Sequence, residues 1–571
     1  MITSVMFPAL LLAASPGHFG GNTLDDALDL APDSARVVAV VADLRRANDD
    51  LGQMIDAMGR PGTVLAGRPI EMVKAQFGIG AGLNERGSAV MYLGVSEAGE
   101  DEPEAVFLVP ADDPATFIDS NFPDRDEMVS GVSTIPGDEP MFVRALEKHV
   151  LISNSRAMAE AHAPAGSLSA DFKKAFEPRV IDRAMKSDLL LWTRGDAVTD
   201  LMGNAGERVP IDAPFIPDSE LFDSLTIGLE DSVLLLDFDP LGVSIRTFAR
   251  YEAGSSMNGL LQGGKGTGAP MSRLPGNPYY FALSADLVGL GGFDTFRNIL
   301  GLLDISLEDY PEDLREGRLG LRQIQFAAYP SRLGIALGGL FNDSSLVVTA
   351  ERPEAVEAVF RTSLLSMQGE RGGIRYEPEW TDDKPLRTGG TSDAFRLKET
   401  VLPPSKSSAQ NMVRNSAFQR IALQLLYGSR GLSGFAGVEG DAFIMTISQR
   451  PDVWGRALAA AGGGGGTIGD SPVLKSMRSW LIEQPDLELL VGMGSLTKLM
   501  EQLSRAMQMG IFDPEMIPDI PKNTPPVVFD LSIDGGLLET ATVLPTDVIA
   551  LGYDQIIKQL TQGFKAPGVE P

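Results

Sequence analysis

The feature that most constrains this chain is the repetition of one supersecondary unit. Four segments share an apolar run of four to six residues, a polar or small break, and then leucines or methionines at helical spacing. The short run fits a buried strand, and the later spacing fits an amphipathic helix. Each segment therefore predicts a strand that leads directly into a helix. The four segments are Val37–Met58, Leu189–Ala205, Tyr279–Leu300 and Leu487–Met507.

A second kind of unit has two alternating runs joined by a turn, followed by a helix that begins at a proline or a polar cap. Proline is well tolerated in the first helical turn, because the N–H that it lacks would have no partner there. The recurring helix start is therefore physically meaningful. The predicted hairpins are Ala89–Val95 with Ala105–Pro110, Met141–Leu146 with Val150–Ser153, Leu333–Leu340 with Ser345–Ala350, Ala436–Val438 with Ala442–Ser448, and Val527–Ile533 with Leu538–Val543.

The two kinds of unit occur in the same order in both halves of the chain, which indicates a duplicated domain. Hairpins followed by helices favour an antiparallel sheet. We therefore predict an α+β fold: two pseudo-repeated halves of largely antiparallel sheet with helices packed on one face. The predicted boundaries are 37–265 for the first half, 266–277 for a flexible linker, 278–560 for the second half with an insertion near 363–430, and 561–571 for a tail.

Composition excludes several classes of function. The 571 residues include 48 Lys and Arg against 77 Asp and Glu, which gives a net charge of −29. Phosphate binding needs basic side chains that displace counterions, so no nucleic-acid partner is expected. The chain has no cysteine, which excludes disulfides, thiolate nucleophiles and cysteine zinc sites. Neither the H-E-x-x-H spacing nor a calcium-loop spacing is present, and we predict neither a metal nor a cofactor.

The N-terminal segment has the pattern of an export signal. Residues 1–15 contain the apolar run Val5–Ala14, followed by small residues. This run is too short for a membrane span, which needs about 20 apolar residues, but it fits the hydrophobic region of a signal peptide. No Lys or Arg precedes it, and a buried strand or helix is the alternative. We predict a periplasmic or secreted protein with no transmembrane segment in the mature chain.

Motifs for catalysis and phosphate binding are incomplete. Gly259–Gly266 matches the start of a phosphate-binding loop, but glycine follows Lys265 where a magnesium-binding Ser or Thr is required. His149 and His162 have no recognisable triad context, and exposed or capping roles suit them better. We therefore predict no catalytic residue from the motifs.

Carboxylates are the remaining candidates for a site. Asp237 and Asp239 lie two residues apart at the end of the run Val233–Phe238, so strand periodicity places both on one face. Repulsion between two such groups raises one pKa, as the acid of a glycosidase requires. The alternative is a solvated strand end ahead of the turn at Pro240. Asp237 and Asp239 form the candidate carboxylate pair.

Three short segments carry a resemblance to a known group of proteins. They are Ala31-Pro32-Asp33, the string from Val109 to Phe117 (VPADDPATF), and the string from Leu425 to Gly431 (LLYGSRG). With these segments the chain resembles large exported proteins of unknown function from planctomycete-type bacteria. The resemblance implies export and repeated α+β units, and it brings no catalytic residue or reaction.

Three functions are compatible with these observations. The first is a non-enzymatic extracytoplasmic binding or structural protein, because the catalytic motifs are incomplete and a duplicated fold provides a cleft. The second is a carrier of lipid or another apolar ligand, or a binder of a protein partner. Met493, Met500 and Met507 lie seven apart on a leucine-rich stripe that is typical of a core or of an adaptable groove. The third is a carboxylate-dependent hydrolase.

Overall fold

The structure is a computed structural model of the chain. It describes residues 24–59, 70, 74, 79–94, 104–195, 197, 228–293, 312, 317–402, 423–507 and 520–552, apart from positions 127, 138, 165, 265, 269–270, 372–373, 388, 429–430 and 522. The predicted signal peptide (1–15), Lys265 and the predicted tail (561–571) lie outside the described residues. The chain divides into two compact units.

The first unit comprises the described residues of Met1–Asn258, Leu537–Glu539 and Val543–Pro571. Its strands are β1 (Val37–Val41), β2 (Ala89–Leu93), β3 (Ala105–Pro110), β4 (Ser133–Ile135), β5 (Met141–Ala145), β6 (His149–Ser153), β7 (Leu189–Arg194), β8 (Leu229–Asp239) and β9 (Gly242–Tyr251). Its helices are α1 (Leu24–Leu28), α2 (Leu44–Ala57), α3 (Pro114–Asn121), α4 (Arg156–Ala161), α5 (Leu168–Ala175) and α6 (Pro178–Ala184).

The strands of the first unit pair antiparallel in the order β4-β5-β6-β3-β2-β1-β7-β8-β9. Helices contact both faces of this sheet. Val38 of the central strand β1 packs in one cluster with Phe172 of α5, whereas Ala39 packs in another cluster with Phe117 of α3. Because side chains alternate along a strand, these two clusters lie on opposite faces. The helix cover thus extends beyond the single face of the sequence prediction.

The second unit comprises the described residues of Gly259–Gly536 and Thr540–Thr542. Its strands are β10 (Phe281–Asp286), β11 (Leu321–Ala328), β12 (Ser344–Ala350), β13 (Gly369–Arg371), β14 (Ile374–Pro385), β15 (Thr391–Val401), β16 (Leu432–Glu439), β17 (Ala442–Ile447), β18 (Leu487–Val491) and β19 (Val527–Asp534). Its helices are α8 (Gly334–Gly338), α9 (Pro353–Ser366), α10 (Pro451–Ala461), α11 (Pro472–Met477) and α12 (Met493–Met507), with 3₁₀ turns at Ile468–Asp470 and Arg478–Trp480. The short helix α7 (Ser256–Leu260) and strand β20 (Leu537–Pro545) contain residues of both units.

The second unit has the strand order β13-β14-β15-β16-β17-β12-β11-β10-β18-β19, again all antiparallel. Eight of these strands match eight strands of the first unit in order and connections. The series β15-β16-β17-β12-β11-β10-β18-β19 corresponds to β4-β5-β6-β3-β2-β1-β7-β8. The α+β prediction with largely antiparallel sheets is confirmed. Within the described residues, every helix is too short or too polar to cross a membrane.

One aspartate in each unit occupies an equivalent position, and this pair of residues allows the two sheets to be aligned. Asp188 precedes β7; its N–H donates to the Leu236 carbonyl, and its Oδ2 accepts the Phe238 N–H at 2.9 Å. Asp486 precedes β18 and makes the same two kinds of contact, to the Leu531 carbonyl and to the Ile533 N–H at 2.7 Å. Residues of the two sheets can therefore be compared position by position.

One predicted hairpin strand is wrong. Leu333–Leu340 contains the helix α8, and the strand that pairs with β12 in its place is β11, Leu321–Ala328. Gly334 and Gly339 adopt positive φ angles of 69° and 78°, so the chain turns there and does not extend.

The predicted linker begins with a segment that is held against β10. The Thr267 N–H donates to Oδ2 of Asp286 at 2.7 Å, and a Cβ on Gly266 would lie 2.7 Å from the same oxygen. Glycine at this position permits close approach of two backbone segments. This part of 266–277 is therefore packed within the second unit, whereas composition predicts a flexible spacer.

Candidate functional site

The predicted carboxylate Asp237 belongs to a buried ionic cluster in the first unit. Its Oδ2 lies 2.6 Å from Nη2 of Arg183 in α6, and its side chain is 11% exposed. Asp188 beside it is fully buried and lies 3.1 Å from Nη2 of Arg46 in α2. Arg246 of β9 and Glu539 of β20 form a third pair at 2.6 Å.

Burial dominates the electrostatics of this cluster. Burial raises the pKa of Asp188 to about 8, with a contribution from the neighbouring Asp237. Burial also raises the pKa of Asp237, and Arg183 opposes that effect. Asp237 is therefore held in an enclosed ion pair in which the desolvation of its carboxylate outweighs the attraction of Arg183.

Asp239, the other predicted carboxylate, has a different environment. It is half-buried, and its Oδ1 accepts the N–H of Leu241 at 2.9 Å in the turn between β8 and β9. The negative charge of Asp239 also contributes to the raised pKa of Asp50, which lies at about 6 chiefly because of burial. Asp237 and Asp239 thus make separate contacts, one in an ion pair and one in a turn.

His149 and His162, for which the sequence favours exposed or capping roles, are both buried. His149 Nε2 lies 3.0 Å from the Ser88 carbonyl, and His162 Nδ1 lies 2.8 Å from the Tyr92 hydroxyl. Burial lowers the pKa of His162 to about 4, with Arg144 contributing, so its ring is neutral at pH 7. These contacts support a packing role for each ring.

The second unit differs from the first at one buried row of its sheet. In the first unit this row is aliphatic, and every side chain in it is at most 2% exposed: Leu235, Leu190, Val40 and Val90. At the same register the second unit has four polar side chains that are at most 1% exposed: Asp530, Glu488, Ser284 and Gln325. Burying polar groups costs free energy unless each finds a hydrogen-bond partner.

The partners of this polar row come from the segments that cover it. Glu488 Oε1 lies 2.8 Å from Nη1 of Arg478, Asp530 Oδ2 accepts the Ile482 N–H, and Gln325 accepts the Arg273 N–H. The Ser284 hydroxyl and Glu488 Oε2 are enclosed without a hydrogen-bond partner among the described residues.

A neighbouring row on the same face is smaller in the second unit. Trp192, Val38, Tyr92 and Val106 of the first unit correspond in register to Leu490, Ala282, Ala327 and Ser345 of the second. Three of these four substitutions remove volume, and the fourth introduces a hydroxyl. In the first unit Tyr92 stacks on His162 at a centroid distance of 5.8 Å. Large side chains thus fill positions that smaller ones occupy in the second unit.

The second unit contains a cavity of about 200 Å³. Three arginines line it: Arg332 after β11, Arg450 directly before α10, and Arg456 within α10. Ser345 also lines it; this residue is 1% exposed, and its hydroxyl has no hydrogen-bond partner among the described residues. In a chain with a net charge of −29, three guanidinium groups around one small cavity indicate affinity for an anion.

Two carboxylates hold Arg450 and Arg456 in place. Arg450 Nη1 lies 3.1 Å from Asp343 and its Nη2 lies 2.5 Å from Asp452, which also accepts from Arg456 at 3.1 Å. Asp343 is buried and has a φ of 81°, and its Oδ1 accepts the Ser448 hydroxyl at 2.6 Å. These contacts preorganise the donors of the cavity.

Burial also keeps the Tyr329 hydroxyl in its neutral form in this cavity. The hydroxyl donates to the Pro275 carbonyl at 2.9 Å, and burial raises the pKa of Tyr329 far above its ordinary value. Among the described residues, no three His, Asp or Glu side chains are grouped in a way that could hold a metal ion. The arginines and the Ser345 hydroxyl that line the cavity support the binding of an anionic group by cationic and neutral donors.

Ser345, Arg332 and Arg450 are site residues that no sequence motif marks. Ser345 lies 13 positions after Arg332 and 105 positions before Arg450, and only the pairing of β11, β12 and β17 brings the three together. The available signal was the position of Arg450, directly before the helix-starting Pro451 at the end of a hairpin.

The leucine stripe of α12, which the sequence offers as a core or as a groove, packs in the core through Leu499.

No protein-family model and no curated protein matches this chain. Solved structures entitled "Structure of crystal form IV of TP0453" and "Structure of crystal form III of TP0453" do match. The first is 10% identical, with a TM-score of 0.22, and the match covers 42% of this chain and 83% of the other. The second has the same identity and TM-score, with 40% and 81% covered. At this level the likeness carries no argument about function.

Proposed function

We propose that this protein is an extracytoplasmic, non-enzymatic binding protein that takes a small anionic ligand in the cavity of its second unit. The N-terminal pattern and the resemblance to exported proteins support the location. The cavity supports the activity, because Arg332, Arg450 and Arg456 surround an enclosed Ser345 hydroxyl that lacks a partner. This convergence of donors is the observation that carries the proposal.

The two units provide an internal comparison that strengthens this choice. The position of Ser345 is Val106 in the first unit, and the position of Ala327 is Tyr92. A fold that can close this region with Val and Tyr has no structural need for a buried serine. Residues that depart from good packing without a compensating contact are typical of functional sites.

The alternative functions have weaker structural support. For a hydrolase, Asp237 would have to leave its ion pair with Arg183, and Asp239 would have to leave its turn. For an apolar carrier, the stripe of α12 would have to release core contacts such as those of Leu499. Both alternatives, and a protein partner, stay predictions from the sequence.

Removal of one arginine tests the proposal directly. Arg332 is exposed and makes no ion pair among the described residues, so Arg332→Gln should leave the fold intact. We expect isothermal titration calorimetry to show that the wild-type chain binds one or more of benzoate, methanesulfonate and sulfate. The variant should bind about 10-fold more weakly, because one charge-assisted contact is lost.

Arg322→Gln is the matched control. Arg322 is an exposed arginine of the same unit, and its ion pair with Glu351 lies outside the cavity. This variant should keep the wild-type affinity. If none of the three anions binds to the wild-type chain, or if both variants lose affinity equally, the proposed function is wrong.

A further inference from the structure

The charges around the cavity define which anion it accepts. Three guanidinium groups are present, and two carboxylates, Asp343 and Asp452, already pair with Arg450 and Arg456. Arg332 has no carboxylate partner among the described residues. The group therefore carries one unbalanced positive charge, and that charge lies at Arg332 on the exposed side of the cavity.

One further negative charge balances this group. A second negative charge on the ligand would lie close to the carboxylate of Asp343, which lines the cavity and is fixed by its ion pair with Arg450. Because the Asp343 carboxylate is buried, water screens its repulsion of a second negative charge only weakly. The cavity should therefore discriminate between anions by their charge.

The donors also have a defined geometry. The guanidinium of Arg332 offers a planar fork that matches a carboxylate in a bidentate contact. The buried Arg456 Nε and the Ser345 hydroxyl have no partner among the described residues, and they can donate to a second oxygen or to a polar substituent.

Part of the remaining wall is apolar. Pro275, Pro278, Pro330 and Val453 offer hydrocarbon surface, beside the polar residues Asn277 and Tyr329. A volume of about 200 Å³ leaves room only for a small, compact ligand. A ligand that fits has one anionic group and a small apolar part.

From this charge balance and lining we infer that the ligand is a small organic monoanion of the carboxylic-acid class, which Arg332 binds at the mouth of the cavity. The inference rests on the proposed function, since it names the chemistry of the same site. It excludes multiply charged anions such as sulfate as the preferred ligands.

The experiment compares three anions by titration calorimetry on the wild-type chain at pH 7 and constant ionic strength. Benzoate is a planar monoanion, methanesulfonate is a tetrahedral monoanion, and sulfate is a tetrahedral dianion. We expect benzoate to bind most tightly and sulfate at least about 10-fold more weakly than methanesulfonate, because those two differ mainly in charge. Sulfate that binds as tightly as methanesulfonate overturns the inference but leaves the proposed function standing, whereas no binding by any anion removes both.

Asp343→Asn gives a second arm that does not depend on the absolute affinity. Asparagine tolerates the positive φ of this position and can still accept from Ser448, so the fold should persist. The variant raises the local charge by one, and the preference for methanesulfonate over sulfate should shrink by about 10-fold or reverse. An unchanged preference in a folded Asp343→Asn protein contradicts the inference; circular dichroism establishes that the variant is folded.

Discussion

At the scale of single residues, this chain places hydroxyl groups where its own fold accommodates aliphatic groups. Ser284 and Ser345 are each at most 1% exposed, and their hydroxyls lack partners among the described residues. The matching positions in the first unit are Val40 and Val106. An unsatisfied buried polar group costs about 1–3 kcal/mol, so both serines lower stability relative to valine.

Ser345→Val separates stability from binding. Valine fills the position as Val106 does in the first unit, so the free energy of unfolding should rise by about 1 kcal/mol. The affinity for a bound anion should fall by about 10-fold, because the hydroxyl donor is lost. Urea denaturation and titration calorimetry measure the two effects.

Ser284→Val is the matched control for this prediction. Ser284 lies in the polar row and does not line the cavity, so valine should stabilise the fold and leave the anion affinity unchanged. Equal loss of affinity in both variants would show that Ser345 has no direct contact with the ligand.

At the scale of elements, each sheet uses a buried aspartate to join two strands. Asp188 ties β7 to β8, and Asp486 ties β18 to β19. Burial raises the pKa of Asp188 to about 8 and that of Asp486 to about 6. Both values lie above the ordinary 3.8 of the unfolded chain.

This shift has a defined consequence for the pH dependence of stability. A group whose pKa is higher in the folded state binds its proton more tightly there, so its contribution to stability is present at low pH and is lost as pH rises. For Asp188 the loss extends from about pH 4 to about pH 8. For Asp486 it extends from about pH 4 to about pH 6.

Asp188→Asn removes this titration. Asparagine can still accept the Phe238 N–H, and the free energy of unfolding should fall less between pH 5 and pH 8 than in the wild-type chain, by at least about 1 kcal/mol. Urea denaturation at both pH values measures the difference. Asp486→Asn should change the same interval less, because its window ends at a lower pH. A wild-type slope that persists in Asp188→Asn would assign the pH dependence to other groups.

At the scale of the whole molecule, two units share one order of strands but differ in what they enclose. The first unit closes its sheet face with Trp192 and Tyr92, and the second has Leu490 and Ala327 at those positions. One copy can retain a packed core while the other holds a polar site. Under the proposed function, the second unit loses packing stability for binding, whereas the first unit keeps its packed core.

The binding of benzoate should therefore protect only the second unit. Hydrogen exchange measured by mass spectrometry should slow in peptides that contain Ser345 and Arg450, because a bound ligand disfavours local opening there. Peptides with the corresponding Val106 of β3 should exchange at an unchanged rate. Equal protection of both sets would indicate a general stabilisation without a site in the second unit.

Much of the architecture was predictable from the sequence because it follows from local patterns. Short apolar runs correctly located β1 and β18, and prolines at helix starts located α3 and α10. Strand β11 was missed because Gln323 and Gln325 interrupt its apolar pattern. Gln325 belongs to the buried polar row of the second unit. The same residue that departs from the aliphatic pattern of the first unit therefore also hid this strand.

By itself the sequence determined the class of fold, the order of its units and the net charge of −29. These properties depend on periodicity and composition, which are local or additive along the chain. Only the tertiary structure decided that Arg332, Ser345 and Arg450 meet at one cavity, and that Asp237 pairs with Arg183. Such contacts join residues far apart in sequence, and strand pairing, burial and register, which no local pattern encodes, bring them together.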